Sequence, residues 1–173
     1  MRRWTAPLLT GALLAGASCY LGLLYTPDLL MGAAIRRVAA GGFNRFTHAP
    51  LADETTRKIV RPSPDLAYSS CPYDVSNTPL LIDATPVSAP YWSLSIFDSR
   101  TDTVFVRNAG QAHGMPFHVA VARAGQAVPP DYEKVTVRGD RGIALVRILV
   151  VDRAAFGALD AARRATICRP VRR

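Results

Sequence analysis

Tyr91-Trp92-Ser93-Leu94-Ser95-Ile96-Phe97-Asp98 sets Trp92, Leu94 and Ile96 against Tyr91, Ser93 and Ser95. Alternate side chains of a strand point to opposite faces, so this stretch reads as a strand with one apolar and one polar side. The same period of two recurs from Val104 to Arg107 and from Phe117 to Val121. Pro129-Pro130-Asp131 then introduces a strand from Tyr132 to Arg138, and Gly139-Asp140-Arg141-Gly142 predicts a hairpin turn into another, Ile143 to Val151. That last segment is apolar on both faces, which predicts a central place in the sheet. Arg147 interrupts it, and a guanidinium there needs a carboxylate or several carbonyls. Asp152 is placed to cap a helix from Ala154 to Ala165, with Phe156 and Leu159 on its packed side. The expected fold is mainly β (α+β): an antiparallel, sandwich-like domain with a C-terminal helix.

Upstream the pattern changes. An uncharged run starts at Ala6 and ends at Tyr25, and a helix of about twenty residues crosses the roughly 30 Å hydrocarbon core of a bilayer. Its leucines point all round the cylinder, and Trp4 and Tyr25 fall where interfacial rings are favoured. Arg2 and Arg3 precede it, which favours a cytoplasmic N-terminus. Ala15-Gly16-Ala17 resembles a signal-peptide cleavage site, but the apolar run continues past it, as a retained anchor requires. Cys19 as a lipid acceptor lacks a branched residue at position 16. Either way the rest of the chain is expected outside the cytoplasm, in the periplasm of a bacterial inner-membrane protein. Pro27-Asp28 is read as a break, with Asp28 capping a short amphipathic helix from Leu29 to Ala40 that either lies on the membrane or packs under the domain. The expected organisation is residues 1–27 as anchor, 28–58 as juxtamembrane helix and linker, 59–167 as the β-rich domain and 168–173 as a basic tail.

The net charge of +8 is uneven. Residues 1–49 hold five arginines and one acid, residues 50–162 eleven bases and twelve acids, and residues 163–173 five arginines and no acid. The body is therefore balanced, and a basic face interleaved with aromatics is missing, so nucleic acid is not expected as a partner. The arginine-rich tail would suit lipid headgroups or an acidic partner, or else stays solvated. Three histidines at poor spacing from three cysteines predict no metal, and no cofactor motif is present. Cys71 and Cys168 are either one disulfide or two buried thiols.

Two polar-rich segments could carry chemistry: Arg61-Pro62-Ser63-Pro64-Asp65-Leu66-Ala67-Tyr68-Ser69 with the residues up to Asp74, and Tyr91 to Asp98. A functional reading gathers Arg61, Asp65, Tyr68, Ser69, Asp98 and Arg147 into one pocket. A structural reading, which is favoured, makes Asp65 or Asp98 the counter-ion of Arg147. There is no Gly-x-Ser-x-Gly elbow and no glycine-rich phosphate loop.

The ordered set from Pro62 to Ser69, Asp74, Tyr91 to Asp98, the Arg147 strand and the helix after Asp152 resembles the bacterial family called domain of unknown function 1254. Its pattern runs approximately Pro-Asn-x-Asp-Thr-x-Tyr-Ser, then Tyr-Tyr-Ser-x-Gln-x-x-Asp. Pro62, Asp65, Tyr68 and Ser69 match the first part; Tyr91, Ser93 and Asp98 match the second. Ser63, Leu66, Trp92 and Ser95 replace its Asn, Thr, Tyr and Gln. The resemblance implies a mainly β domain of no established activity. Longer relatives continue into a companion module, domain of unknown function 1214. This sequence ends without it, so a separate small membrane protein is expected to supply it. An interaction module is the expected role; the alternative is a ligand binder or enzyme built on Arg61, Asp65, Tyr68 and Asp98.

Overall fold

Trp92, Leu94 and Ile96 face inward, 2% exposed or less, and the strand that carries them lies beside the central strand of its sheet. The structure is a computed structural model and describes residues 4–53 and 62–171. Its strands are β1 (Thr47–His48), β2 (Leu66–Asp74), β3 (Leu80–Ala84), β4 (Trp92–Phe97), β5 (Thr103–Asn108), β6 (Phe117–Ala122), β7 (Glu133–Thr136), β8 (Arg141–Leu149) and β9 (Ile167–Pro170). Its helices are α1 (Thr5–Val38), α2 (Ala109–Ala112) and α3 (Phe156–Ala165).

Two sheets form. Sheet A runs β1-β2-β8-β4-β5, antiparallel throughout, and sheet B runs β7-β6-β3-β9. Among the described residues only β6 and β7 pair in parallel. Ala67, Cys71, Leu94, Ile96, Val146 and Ile148 from sheet A meet Leu80, Ile82, Val119 and Val121 from sheet B in one core, the interleaved arrangement of a sandwich. A disulfide joins Cys71 of β2 to Cys168 of β9 across the two layers, 97 residues apart in sequence. Closing so long a loop is worth roughly 4–5 kcal/mol in the chain-entropy treatment.

The central position of β8 agrees with its apolar pattern, but the expected hairpin does not form. β7 joins β6 in sheet B, while β8 pairs with β2 and β4 in sheet A, so residues 137–140 cross between layers. The crossover is held by Val75 N–H on the Asp140 carbonyl (2.8 Å) and by Gly139, whose φ of 72° suits glycine. Gly142 is a strand residue rather than a turn residue. A Cβ there would collide with the Tyr73 hydroxyl, which passes over it to donate to the Phe97 carbonyl at 2.8 Å. Burial, then the Asp98 charge, holds the Tyr73 phenol far above its ordinary pKa, so it remains a donor.

The two helices expected on either side of Pro27 are one. Pro27 supplies no N–H to the Leu23 carbonyl, yet the helix runs through it. The Thr26 hydroxyl donates to the Gly22 carbonyl (2.6 Å), and Arg100 donates to the Leu24 carbonyl (2.8 Å) while lying 3.7 Å from Asp28. Asp28 is thus an ion-pair partner rather than a cap. The last turns of α1 rest on the β2/β8 end of sheet A, burying Met31 and Ile35 to 5% and 7% exposure.

The expected linker contains β1, which pairs with Ser69 and Ser70. Much of the expected basic tail is built into the fold. Residues 167–170 form β9 beside β3, and Arg169 pairs with Asp83. Arg163, 1% exposed, donates to the Ala49 and Tyr68 carbonyls at 3.1 and 2.9 Å and pairs with Asp160, pinning α3 to the β1–β2 edge. Asp152 accepts from Ala154 N–H (2.8 Å) in the turn before α3, whose N-cap is Ala155. Phe156, Leu159 and Ala162 pack against the core.

Candidate functional site

On the outer face of sheet A one row of cross-strand partners is polar from β2 to β5. Tyr68 is paired with Arg147, Arg147 with Ser93, and Ser93 with Asn108. Neighbouring strands lie about 4.8 Å apart, so this row places four polar side chains side by side. The alternation read from Tyr91 to Asp98 is what turns Ser93 and Ser95 outward, since Trp92, Leu94 and Ile96 are committed to the core.

Arg147 sits at the centre, half-buried. Its Nη2 donates to Ser95 Oγ at 3.2 Å, and its Nε is buried without a partner. Ser93 is 0% exposed, and its Oγ is likewise unpartnered. Arg123 and Arg163 also carry an unpaired buried Nε. Their other nitrogens, however, reach a carbonyl and a carboxylate: Ser76 and Asp140 for Arg123, Tyr68 and Asp160 for Arg163. Among the described residues Arg147 has only a serine hydroxyl. Next to it, Tyr68 accepts Ser63 N–H on its hydroxyl (3.2 Å), which brings the start of β2 to the rim of the row.

The structure places the other expected residues elsewhere. Ser69 points into the sandwich, where its hydroxyl meets His48 Nδ1 at 2.8 Å. Asp65 is exposed, and its carbonyl accepts Val150 N–H at 2.8 Å. Asp98 is 2% exposed and organises the β4–β5 turn, accepting Arg100 N–H at 2.8 Å and Asp102 N–H at 3.1 Å. Neither Asp65 nor Asp98 is an ion-pair partner of Arg147. Arg61 lies outside the described residues. Of the six, only Tyr68 and Arg147 are brought together.

A second polar cluster, which the sequence reading missed, lies on the outer face of sheet B. Asp83 Oδ1 accepts from the Tyr132 hydroxyl (2.6 Å) and meets His118 Nδ1 (2.8 Å); Oδ2 accepts from Arg169 (3.1 Å). Arg169 also donates to the Tyr132 hydroxyl at 3.2 Å. Burial alone would raise the Asp83 pKa, but the Tyr132 and His118 hydrogen bonds and the Arg169 charge outweigh it and hold the carboxyl below its ordinary value. The signal was a lone acid in the apolar run Leu80-Leu81-Ile82-Asp83-Ala84, the counterpart of Arg147 in β8. Among the described residues no group of three or more His, Cys, Asp or Glu is placed to hold a metal.

The profile of the family described as protein of unknown function (DUF1254) matches residues 43–170. The chain belongs to the DUF1254 family. The match takes in both sheets and α3, together with the Tyr68–Arg147–Ser93 row. Among curated proteins no sequence matches. The fold is similar to that of the VPA0106 protein from Vibrio parahaemolyticus, with a TM-score of 0.66 at 16% identity over 86% of this chain and 39% of that one. It is also similar to an uncharacterized protein from Burkholderia cenocepacia, with a TM-score of 0.50 at 18% identity over 91% and 42% of the two chains. This DUF1254 chain therefore spans about two fifths of each solved relative. One described helix, residues 5–41, is long and apolar enough to cross a membrane, and none of its most apolar window is buried within the protein.

Proposed function

We propose that this DUF1254 protein is a membrane-tethered docking module. In this reading residues 6–25 cross the bacterial inner membrane, the sandwich lies on the periplasmic side, and the outer face of sheet A receives a carboxylate from a companion module. The companion is the domain of unknown function 1214 type, on a separate membrane protein. The observation that carries the reading is the pair of neighbouring, unpartnered polar groups, Arg147 Nε and Ser93 Oγ. A buried polar group left unpaired costs about 1–3 kcal/mol, and a partner's Asp or Glu would remove that cost with a bidentate bond to the guanidinium. In the complex Arg147 swings off Ser95, presenting Nε and Nη together and uncovering Ser93. More than half of each solved relative lies beyond the part that this chain matches.

The test is co-purification from native membranes in a mild detergent. Wild type should recover a second membrane protein, and Arg147→Met should reduce that recovery by more than about tenfold, the scale expected when one member of a buried charge pair is removed. Recovery of the wild-type chain alone would refute the docking role. A thermal shift with small carboxylic acids that is absent in Arg147→Met, without any protein partner, would move the site to a free ligand instead.

A further inference from the structure

We propose that the cleft between α1 and the sandwich holds the headgroup of an anionic phospholipid; this rests on the tethered reading above. The cleft has a volume of about 550 Å³ and is lined by Asp28, Met31, Ile35, Arg36, Phe43 and Arg141, among others. Its charges are not equivalent. Asp28 faces Arg100, so its negative charge is answered within the protein. Arg141 gives Nε to Asp74 (2.7 Å) and stacks over the Phe43 ring at 5.1 Å, leaving its side chain 59% exposed. Arg36 is exposed and has no ion-pair partner among the described residues. The lining therefore offers positive charge above apolar walls.

The level of the cleft fits a headgroup. With the apolar span ending at Tyr25, Gly32 lies about 10 Å further along the helix, a few ångströms beyond the headgroup layer for an upright helix and nearer to it for a tilted one. Arg36 folds back toward the bilayer, its Nη1 only 3.6 Å from where a Cβ on Gly32 would sit. Leu21, Tyr25 and Leu29, at 50%, 57% and 70% exposure, recur every four residues on the flank that leads to Arg36. An acyl chain can follow that stripe while its phosphate meets Arg36 and the free edge of Arg141.

The experiment uses the full chain in nanodiscs of phosphatidylcholine containing a minority of phosphatidylglycerol, released gently and weighed by native mass spectrometry. Wild type should retain phosphatidylglycerol, and Arg36→Gln should retain about fivefold less, the effect expected of one arginine beside an anionic surface. Gly32→Leu, which narrows the cleft mouth, should act in the same direction, whereas Arg138→Gln, outside the cleft lining, should not. Equal retention by wild type and Arg36→Gln overturns the proposal. So does displacement of the lipid by inorganic phosphate alone, which would make this a plain anion site. A chain that never enters the nanodiscs sinks the tether itself, a result distinguishable from a tethered chain without lipid preference.

Discussion

The two outer faces of the sandwich each carry a charged residue in an otherwise apolar strand, and they resolve it differently. On sheet B, Asp83 is met by Tyr132, His118 and Arg169, and every oxygen has a donor. On sheet A, among the described residues, Arg147 has a single serine hydroxyl, and the hydroxyl of its neighbour Ser93 has no partner. A closed network stabilises the chain that contains it. The contrast separates a polar face closed within the fold from one that, on the docking proposal, a second molecule completes.

Both faces ride on one rigid body, so the strongest way to break the comparison is to cut the link between layers. Replacing Cys71 and Cys168 with Ala should lower unfolding stability by about 2–5 kcal/mol in denaturant titration. A smaller change would mean that the core alone fixes the two sheets. Next, Asp83→Ala removes the acceptor shared by Tyr132, His118 and Arg169 and should destabilise the isolated protein by about 1 kcal/mol, since the half-exposed His118 and Arg169 turn to water. The matching substitution on sheet A, Arg147→Met, should have the opposite character. It removes a half-buried charge with no counter-ion among the described residues, so stability should stay within about 0.5 kcal/mol or rise slightly. If both substitutions cost the same, the two faces are alike and the docking argument fails.

Acid should separate the sheets with a smaller effect. Burial, then the Arg163 and Arg164 charges, lowers the pKa of His48 on sheet A from 6.5, with Asp160 opposing. Below pH 6.5 the unfolded chain takes up a proton that the fold resists, so stability falls as pH drops until the folded pKa is reached. His48→Gln should flatten that slope. Asp83 on sheet B is depressed from 3.8, so its contribution is present above that value and is lost only as pH falls further, through its folded pKa. Thermal melts between pH 7 and pH 3, on wild type and on His48→Gln and Asp83→Asn, should show the sheet A effect first.

The alternation from Trp92 to Ile96 and the apolar pattern of β8 were legible because burial writes them directly into the sequence. The crossing of residues 137–140 was not. A glycine turn after one strand and before another looks the same whether the strands pair or part, and only the facing sheets decide. Pro27 misled for a related reason: its missing donor is a local cost, while the contacts that dock this stretch of helix, such as Arg100 on the Leu24 carbonyl, come from more than seventy residues away. Arg163 read as tail charge because nothing in the local pattern shows that the Ala49 and Tyr68 carbonyls lie over it. Within the candidate site, Arg147 announced itself as a charge out of place. Tyr68 was already in the same candidate set, whereas Ser93 was not, since it comes to flank Arg147 only through the register of β8 with β4.

The cysteine staple also sets a timetable. Its two thiols are 97 residues apart, and the second belongs to a strand laid along β3 from the far end of the domain. If the domain is exported as proposed, a chain threaded through a translocon amino end first delivers Cys71 long before Cys168 emerges. Until then the first thiol would wait unpaired in an oxidising space, exposed to oxidases and to other chains. Thiol trapping on a chain stalled ahead of Ile167 should catch Cys71 reduced or wrongly joined, and the finished sandwich only after release.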